Sequence, residues 1–120
     1  MSYDPNNVFA KILRGEIPCS KVYEDAHVLA FKDIRPQAKV HALVIPKGAY
    51  VSAQDFGEKA SDAEIAAFHR AVAKVARDLG VADSGYRLIA NTGGHGHQEV
   101  PHYHVHILGG QPIGKMVNLP

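Results

Sequence analysis

The spacing of apolar positions predicts one long helix in the second half of the chain. An apolar stripe repeats at intervals of three and four residues, which is the period of an amphipathic helix. The stripe consists of Ile65, Phe68, Val72, Val75 and Leu79. Ser61 and Glu64 have the spacing of a capping box, in which each side chain bonds the other residue's backbone N–H, and Gly80 is a natural stop. The pattern therefore predicts a helix from about Ser61 to Leu79.

A shorter apolar pattern near the start of the chain predicts a second helix. Asn7 is a good N-cap residue, and it is followed by Phe9, Ile12 and Leu13, which lie on one side of a helix. Gly15 can end this helix because glycine readily adopts a left-handed backbone conformation. The sequence thus predicts one short and one long helix.

The remaining apolar runs are short and bounded by turn residues, which is typical of strands. They cover residues 21–24, 28–33, 41–46, 86–91 and 102–108. The segment that opens at Lys47 and runs toward Gly57 is expected to be a loop. Because the strands do not alternate with helices, the pattern predicts an α+β fold with a five-stranded, mostly antiparallel sheet. A chain of 120 residues fits a single domain over 1–120.

Composition narrows the class of protein. Hydrophobic residues make up 46% and charged residues 21%, which indicates a globular chain. A formal net charge of +1 argues against a dedicated nucleic-acid binder. The lone Cys19 cannot form an internal disulfide, and the first residues lack a signal-peptide pattern, so a cytoplasmic protein is expected. No apolar run approaches the roughly 18 residues of a membrane span, so no membrane partner is expected.

Three histidines near the end of the chain alternate with apolar residues. His102, His104 and His106 are spaced two apart, so on a strand their imidazoles share one face. The intervening residues, which can pack against a helix, are Tyr103, Val105 and Ile107. Three imidazoles on one face can bind a metal, attack phosphorus as nucleophiles, or form a solvated polar surface.

The segment before the histidines favours the second of these interpretations. Residues 92–99 form a polar, glycine-rich loop whose backbone N–H groups can approach an anion closely. Asn91 and Gln98 add side-chain donors beside it. Structural zinc sites usually include several cysteines, whereas this chain has only Cys19. We therefore expect no metal and no cofactor, and a substrate that carries phosphate.

At these residues the sequence resembles the histidine triad family, whose signature alternates histidine with apolar residues. The match covers 98–110, and its closing Gly109-Gly110 resembles the branch of histidine triad nucleotide-binding proteins, the Hint branch. Upstream segments resemble the same branch in the expected order. These segments are 9–12, 16–18, 29–38 and 41–47, so the resemblance spans roughly residues 8 to 110.

The resemblance implies a HIT-like fold, a homodimer with a sheet continuous across its interface, and binding of purine nucleoside monophosphates. It implies hydrolysis of a nucleoside phosphoramidate at its P–N bond, with His104 as the nucleophile that forms a nucleotidyl-histidine intermediate. His106 would contact the phosphate oxygens. His102 would orient His104 through its backbone carbonyl, and His41 would support the same network.

The resemblance also assigns the nucleotide-binding residues. Asn91 would hold the phosphate, Asp33 would accept hydrogen bonds from the ribose hydroxyls, and Glu99 and Val100 would lie beside the nucleotide. The base would be walled by Phe9, Ile12, Phe31 and Ile34. Blander interpretations stay open for several of these residues. The four wall residues can be plain core, Asp33 can simply cap a turn, and His41 can be a buried histidine with satisfied hydrogen bonds.

Three departures from the family pattern put the leaving group in question. Glu99 stands where some relatives have a hydroxyl residue, and we expect its carboxylate to favour an amine over a polyphosphate. Pro101 stands where an aromatic residue is often found, and residues 111–120 lack a tryptophan. The rival functions are a dinucleoside polyphosphate hydrolase with the same nucleophile, a non-catalytic nucleotide-binding or scaffold protein, and a metal-binding protein.

Overall fold

A computed structural model describes residues 2–117. The last three positions of the tryptophan-free C-terminal segment, 118–120, lie outside the described residues, as does residue 1. The helices are α1 (Val8–Leu13), α2 (Ala53–Lys59) and α3 (Asp62–Asp78). The strands are β1 (Lys21–Glu24), β2 (Val28–Lys32), β3 (Val40–Pro46), β4 (Arg87–Ile89) and β5 (Val105–Gly109). No helix in the described range is long and apolar enough to cross a membrane.

The five strands form one sheet in the order β1-β2-β3-β5-β4, and every neighbouring pair is antiparallel. This confirms the predicted α+β architecture. The long strand β3 lies at the centre, where it pairs with β2 on one side and β5 on the other. The pairing of His41 with Leu108 and of Leu43 with His106 brings the two histidine-bearing strands side by side.

Each face of the sheet packs against a different set of side chains. Alternate residues of β2 and β3 point to opposite faces, as the period of two requires. One face packs against α3, and the buried cluster between them includes Val28, Ala30, Ala42, Val44 and Ile107 of the sheet and Val75 of the helix. The other face packs against α1, and the buried cluster there consists of Leu29, Phe31, Leu43 and Ile45 of the sheet and Phe9 of the helix. The second face also carries His106, on the strand next to Leu43.

The predicted caps of the helices are present. Ser61 and Glu64 form the capping box of α3, and Asn7 caps α1 by accepting a hydrogen bond from the N–H of Ala10 at 2.9 Å. One helix was missing from the prediction, because α2 occupies part of the expected loop 47–57 and ends at Lys59. This helix has seven residues and buries only Phe56, so it is too short to show a helical repeat.

The predicted strand 102–108 is wrong at its start, since β5 begins at Val105. Two hydrogen bonds replace the sheet pairing before that point. The Tyr103 N–H donates to the Tyr50 carbonyl at 2.7 Å, and the Pro46 carbonyl bonds the His102 ring at 2.8 Å. The backbone of 102–104 is therefore held by contacts outside the sheet ladder. β4 is likewise shorter than predicted, with three residues instead of the expected 86–91.

Candidate active site

A cleft of about 450 Å³ opens where β3, β5 and the loop after β4 meet. Eight of the residues singled out in the sequence line it. They are Phe9, Asp33, His41, Asn91, Glu99, Val100, His104 and His106. Sequence reasoning gave no role in this site to the other four lining residues, which are Arg35, Gln37, Leu43 and His97. The cleft thus gathers most of the predicted polar residues from five separate segments of the chain.

His104 presents one ring nitrogen to the cleft and anchors the other. Its Nδ1 lies 2.7 Å from the backbone carbonyl of His102, which can only accept, so Nδ1 carries the proton. Burial is the main cause that lowers the pKa of His104, so the ring is neutral near pH 7 and Nε2 holds a lone pair. Among the described residues Nε2 has no hydrogen-bond partner, and it is not a buried unpaired atom, so it reaches the cleft surface.

A second chain of hydrogen bonds sets the protonation of His106. The backbone N–H of Gln37 donates to His41 Nδ1 at 3.0 Å, so the proton of the neutral His41 ring is on Nε2. His41 Nε2 lies 2.9 Å from His106 Nδ1 and donates to it. The remaining proton of His106 is therefore on Nε2, where the ring can donate to an anion.

Burial keeps both of these rings neutral. It lowers the pKa of His41, against the opposing effect of the Asp33 carboxylate, whose Oδ2 lies 3.5 Å from His41 Nε2. Burial also lowers the pKa of His106, to about 4, with smaller contributions from His104 and His41. The site thus combines one free imidazole lone pair with one imidazole N–H donor.

His102 does not line the cleft, although it was expected to share a face with the other two histidines. Its side chain is fully buried, with an exposed fraction of 0%. Nε2 lies 2.8 Å from the Pro46 carbonyl, and Nδ1 lies 2.6 Å from the hydroxyl of Tyr3. The expected alternation fails here because 102–104 is not part of the strand. The His102 carbonyl still contacts His104, as the family resemblance implied.

The residues expected to wall the base are only partly brought together. Phe9 lines the cleft, and its ring meets that of His104 edge-on at 4.9 Å between centroids. Phe31 is buried behind Phe9, at 5.7 Å between ring centroids. Ile12 packs at the edge of the same apolar cluster and lines a different cleft. Ile34 lies at the surface with 90% of its area exposed.

Asp33 has two roles in the structure. Its Oδ1 accepts a hydrogen bond from the Arg35 N–H at 2.8 Å, so the carboxylate shapes the turn after β2. Its Oδ2 lies toward His41. The turn interpretation and the site interpretation are thus compatible, because one oxygen serves each.

The glycine-rich loop is held mainly by its own contacts. Gln98, expected to be a donor to an anion, uses its side chain otherwise: Oε1 accepts from the Gly93 N–H at 3.0 Å, and Nε2 donates to the Val51 carbonyl at 2.6 Å. Gly96 packs so tightly that a Cβ would lie 2.6 Å from the Thr92 carbonyl oxygen. Gln98 therefore stabilises the conformation of the loop, and of the two predicted amide donors only Asn91 lines the cleft.

Glu99 and His97 form a side-chain hydrogen bond at the mouth of the cleft. Glu99 Oε1 lies 3.1 Å from His97 Nε2, and the two side chains are 77% and 88% exposed respectively. His97 adopts a left-handed backbone conformation with φ of 57°. Solvent therefore screens the interaction of Glu99 with a ligand in the cleft, and this interaction is weaker than that of a partly buried carboxylate would be.

Three side chains of the cleft lie close enough together to be considered as metal ligands. Potential ligand atoms of Asp33, His41 and His106 lie within 4.8 Å of one another. However, the Gln37 N–H occupies the lone pair of His41 Nδ1, so Nε2 holds the ring proton. A metal on Nε2 would require the loss of that proton as well, which gives an imidazolate. The hydrogen bonds of the cluster therefore suit proton-sharing histidines better than metal ligands.

The sequence and the fold of this chain are similar to those of known proteins. The sequence model of the HIT domain matches residues 14–113. The chain is 46% identical over 110 residues to the purine nucleoside phosphoramidase of Escherichia coli (strain K12), with 92% of both chains covered. It is 59% identical over 116 residues to an uncharacterised HIT-like protein of Azospirillum brasilense, with 97% of this chain and 95% of that protein covered.

Solved structures agree. A histidine triad protein from Clostridium difficile superposes with a TM-score of 0.83 at 40% identity, over 97% of this chain and 100% of that one. A HIT family hydrolase from Clostridium thermocellum superposes with a TM-score of 0.85 at 45% identity, over 93% and 97% of the two chains. The chain therefore belongs to the HIT domain family.

Proposed function

We propose that this protein hydrolyses the P–N bond of purine nucleoside 5′-monophosphate phosphoramidates through a nucleotidyl-histidine intermediate on His104. The observation that carries the proposal is the hydrogen-bond geometry of His41, His104 and His106, from which the positions of their ring protons follow. It leaves a free lone pair on His104 Nε2 in the same cleft as an N–H donor on His106. A nucleophile and a donor to the phosphate oxygens are the two groups that substitution at phosphorus needs.

In the first step, the lone pair of His104 Nε2 forms a bond to phosphorus and the P–N bond of the substrate breaks. The amine leaves with its electron pair and takes a proton from water at the open mouth of the cleft. The nucleotidylated imidazole is a cation, since Nδ1 keeps its proton. The His102 carbonyl, 2.7 Å from Nδ1, stabilises this charge as it develops.

In the second step, water attacks phosphorus and the bond to His104 Nε2 breaks. The electron pair returns to Nε2, the water proton passes to solvent, and the nucleoside monophosphate leaves. His106 donates from Nε2 to a phosphate oxygen in both steps, and Asn91, which lines the same cleft, supplies a second donor. Asp33 accepts from the ribose hydroxyls, and Phe9 contacts the base, whereas Ile12, Phe31 and Ile34 lie outside the cleft and take no part in the proposal.

The substrate class is supported by the charge of the lining and by the relative from Escherichia coli. Two carboxylates, Asp33 and Glu99, outnumber the one guanidinium, Arg35, in the lining of the cleft, so the lining opposes an anionic leaving group more than a neutral or cationic amine. The curated relative at 46% identity is named a purine nucleoside phosphoramidase. We therefore favour a phosphoramidate over a dinucleoside polyphosphate. A steady-state comparison of adenosine 5′-phosphoramidate with diadenosine polyphosphates tests this choice, and equal or better use of the polyphosphates would contradict it.

We further propose that the protein is a homodimer and that two copies pair through β4. This strand is an outer strand of the sheet, so one of its edges has no partner strand within the described residues. Leu88 in this strand and Tyr86 just before it are exposed apolar residues. Antiparallel pairing of two β4 edges would extend the sheet across the interface and cover these side chains. We also propose that it acts in the cytoplasm as a single domain.

A further inference from the structure

The N-terminal segment before α1 reaches the centre of the histidine cluster. The Tyr3 hydroxyl lies 2.6 Å from His102 Nδ1, across a separation of 99 residues. The two rings also meet edge-on, with 5.5 Å between their centroids. His102 is the fully buried histidine of the triad and its ring does not line the cleft. Neither Tyr3 nor the segment that carries it has a part in the chemistry described above.

The direction of this hydrogen bond follows from the other side of the ring. His102 Nε2 lies 2.8 Å from the Pro46 carbonyl, which accepts only, so Nε2 carries a proton. The buried ring is neutral, because burial lowers the pKa of His102. Nδ1 therefore holds a lone pair, and the Tyr3 hydroxyl donates to it. Both nitrogens of His102 are thus paired, one with a backbone group and one with Tyr3.

This pairing affects the nucleophile because His102 lies outside β5. The backbone at 102–104 lies outside the sheet ladder, since the strand begins only at Val105, and one backbone hydrogen bond, from the Tyr103 N–H to the Tyr50 carbonyl, holds it. The His102 carbonyl nevertheless has to stay 2.7 Å from His104 Nδ1 to keep the proton there. The His102 ring is hydrogen-bonded at both of its nitrogens, and these bonds restrain the residue whose carbonyl accepts from His104 Nδ1.

We propose that Tyr3 is a positioning residue for the reaction: it holds His102, and through the His102 carbonyl it keeps the lone pair of His104 on Nε2 and directed at phosphorus. The proposal rests on the proposed function, because it assigns a role in that reaction. Removal of the hydroxyl leaves a buried nitrogen without a donor, which favours rotation or re-protonation of the His102 ring. The His102 carbonyl is then less well placed to accept the hydrogen bond from His104 Nδ1. A larger fraction of His104 rings therefore carries the proton on Nε2.

The first test uses the unliganded wild-type protein and needs no substrate. Long-range ¹H–¹⁵N NMR of the imidazoles distinguishes a protonated ring nitrogen from one with a lone pair. We expect His102 to carry its proton on Nε2 and His104 on Nδ1. In Tyr3→Phe, we expect the His104 Nδ1 proton to exchange faster with water and the His102 Nδ1 signal to shift. A proton on His102 Nδ1 in the wild type would overturn the proposal.

The second test is kinetic and compares Tyr3→Phe with Tyr23→Phe. Tyr23, on β1, offers a matched control because its hydroxyl donates to the Asp25 carboxylate at 2.7 Å and neither residue lines the cleft. Measured well below the melting temperature of each variant, kcat of Tyr3→Phe should fall about three- to tenfold with KM unchanged, as loss of one buried hydrogen bond gives. The control should keep the wild-type kcat.

The outcomes separate this proposal from the proposed function. If Tyr3→Phe melts at a lower temperature but keeps its kcat and its His104 Nδ1 proton, Tyr3 is only structural and the proposal is overturned. If wild-type protein hydrolyses no phosphoramidate, the proposed function fails. The NMR comparison still decides whether Tyr3 controls the His104 proton in that case.

Discussion

Acid should destabilise this protein through the histidines that it keeps neutral, and His106 gives the clearest magnitude. Its pKa falls from 6.5 to about 4 in the folded chain, mainly because of burial. Because the pKa of His106 is lower in the folded chain than in the unfolded chain, the unfolded chain binds more protons than the folded chain at pH values between these two pKa values. Stability is therefore lost as the pH falls below 6.5, and the loss is complete below about 4. The linkage relation gives roughly 2 kcal/mol lost between pH 7 and pH 5 from this residue.

The assay is urea unfolding at a series of pH values between 7 and 5, for wild type and His106→Gln. The variant loses a hydrogen bond at all pH values, but it also loses the titrating group. Between pH 7 and pH 5 the free energy of unfolding of the variant should therefore fall by roughly 2 kcal/mol less than that of the wild type. His69→Gln is the control, because His69 is an exposed residue of α3. Parallel stability curves for wild type and His106→Gln would refute the claim that the cleft holds a neutral imidazole.

Three further predictions concern activity. His104→Ala should reduce turnover by more than about 1,000-fold and change the affinity for a nucleoside monophosphate by no more than a few-fold, because a nucleophile contributes far more to the rate than one contact contributes to binding. A rate assay and a calorimetric titration measure the two effects. A variant that keeps a tenth of the wild-type rate would show that His104 is not the nucleophile. Chelation followed by metal analysis should leave the hydrolysis rate unchanged, and co-purifying stoichiometric zinc whose loss abolishes activity would contradict this. Glu99→Ser should lower the ratio of kcat/KM for phosphoramidate over polyphosphate only about two- to fivefold, because the carboxylate is 77% exposed; an unchanged ratio would show that Glu99 selects nothing.

The assembly prediction has its own test. Sedimentation equilibrium at micromolar concentration should show a dimer, and Leu88→Lys should shift the equilibrium toward monomer because it places a charge at the proposed strand pairing. An exposed residue away from β4 offers a control in Ala66→Lys, on the surface of α3. A wild-type monomer at this concentration would contradict the proposed dimer.

Much of the fold follows from the sequence because its longer elements carry strong patterns. The stripe from Ile65 to Leu79 and the capping box at Ser61 place α3 to within a residue at each end. The order of apolar runs predicts all five strands. What fails is short or depends on tertiary contacts. α2 buries one residue, Phe56, and has no repeat to detect.

The site shows the same division between pattern and tertiary contact. Spacing alone groups the three histidines on one face, but the bond from His102 to the Pro46 carbonyl removes that residue from the cleft. No feature of the local sequence indicates that a backbone carbonyl 56 residues away is its partner. Gln98 likewise looks like a ligand donor until its contacts with Gly93 and the Val51 carbonyl are seen. The assignment to the Hint branch stays a prediction.

The presence of Arg35, Gln37 and His97 in the cleft was not predicted, for different reasons. Gln37 acts through its backbone N–H, which every residue but proline has, so its side chain gives no signal. Arg35 and His97 are exposed loop residues that reach the cleft only once the chain has folded. A signal for Gln37 was nevertheless present, since it lies within the segment 29–38 that resembles the family.

The central claim is that His104 becomes covalently attached to the nucleotide during turnover, and it can be tested directly. Wild-type protein is mixed with excess adenosine 5′-phosphoramidate, stopped within the first turnover in alkaline denaturant, and analysed by mass spectrometry. The account predicts one adenylyl group per chain, on the peptide that contains His104, and none in His104→Ala. Release of the amine in the first turnover with no attached nucleotide, or attachment at another residue, would contradict it.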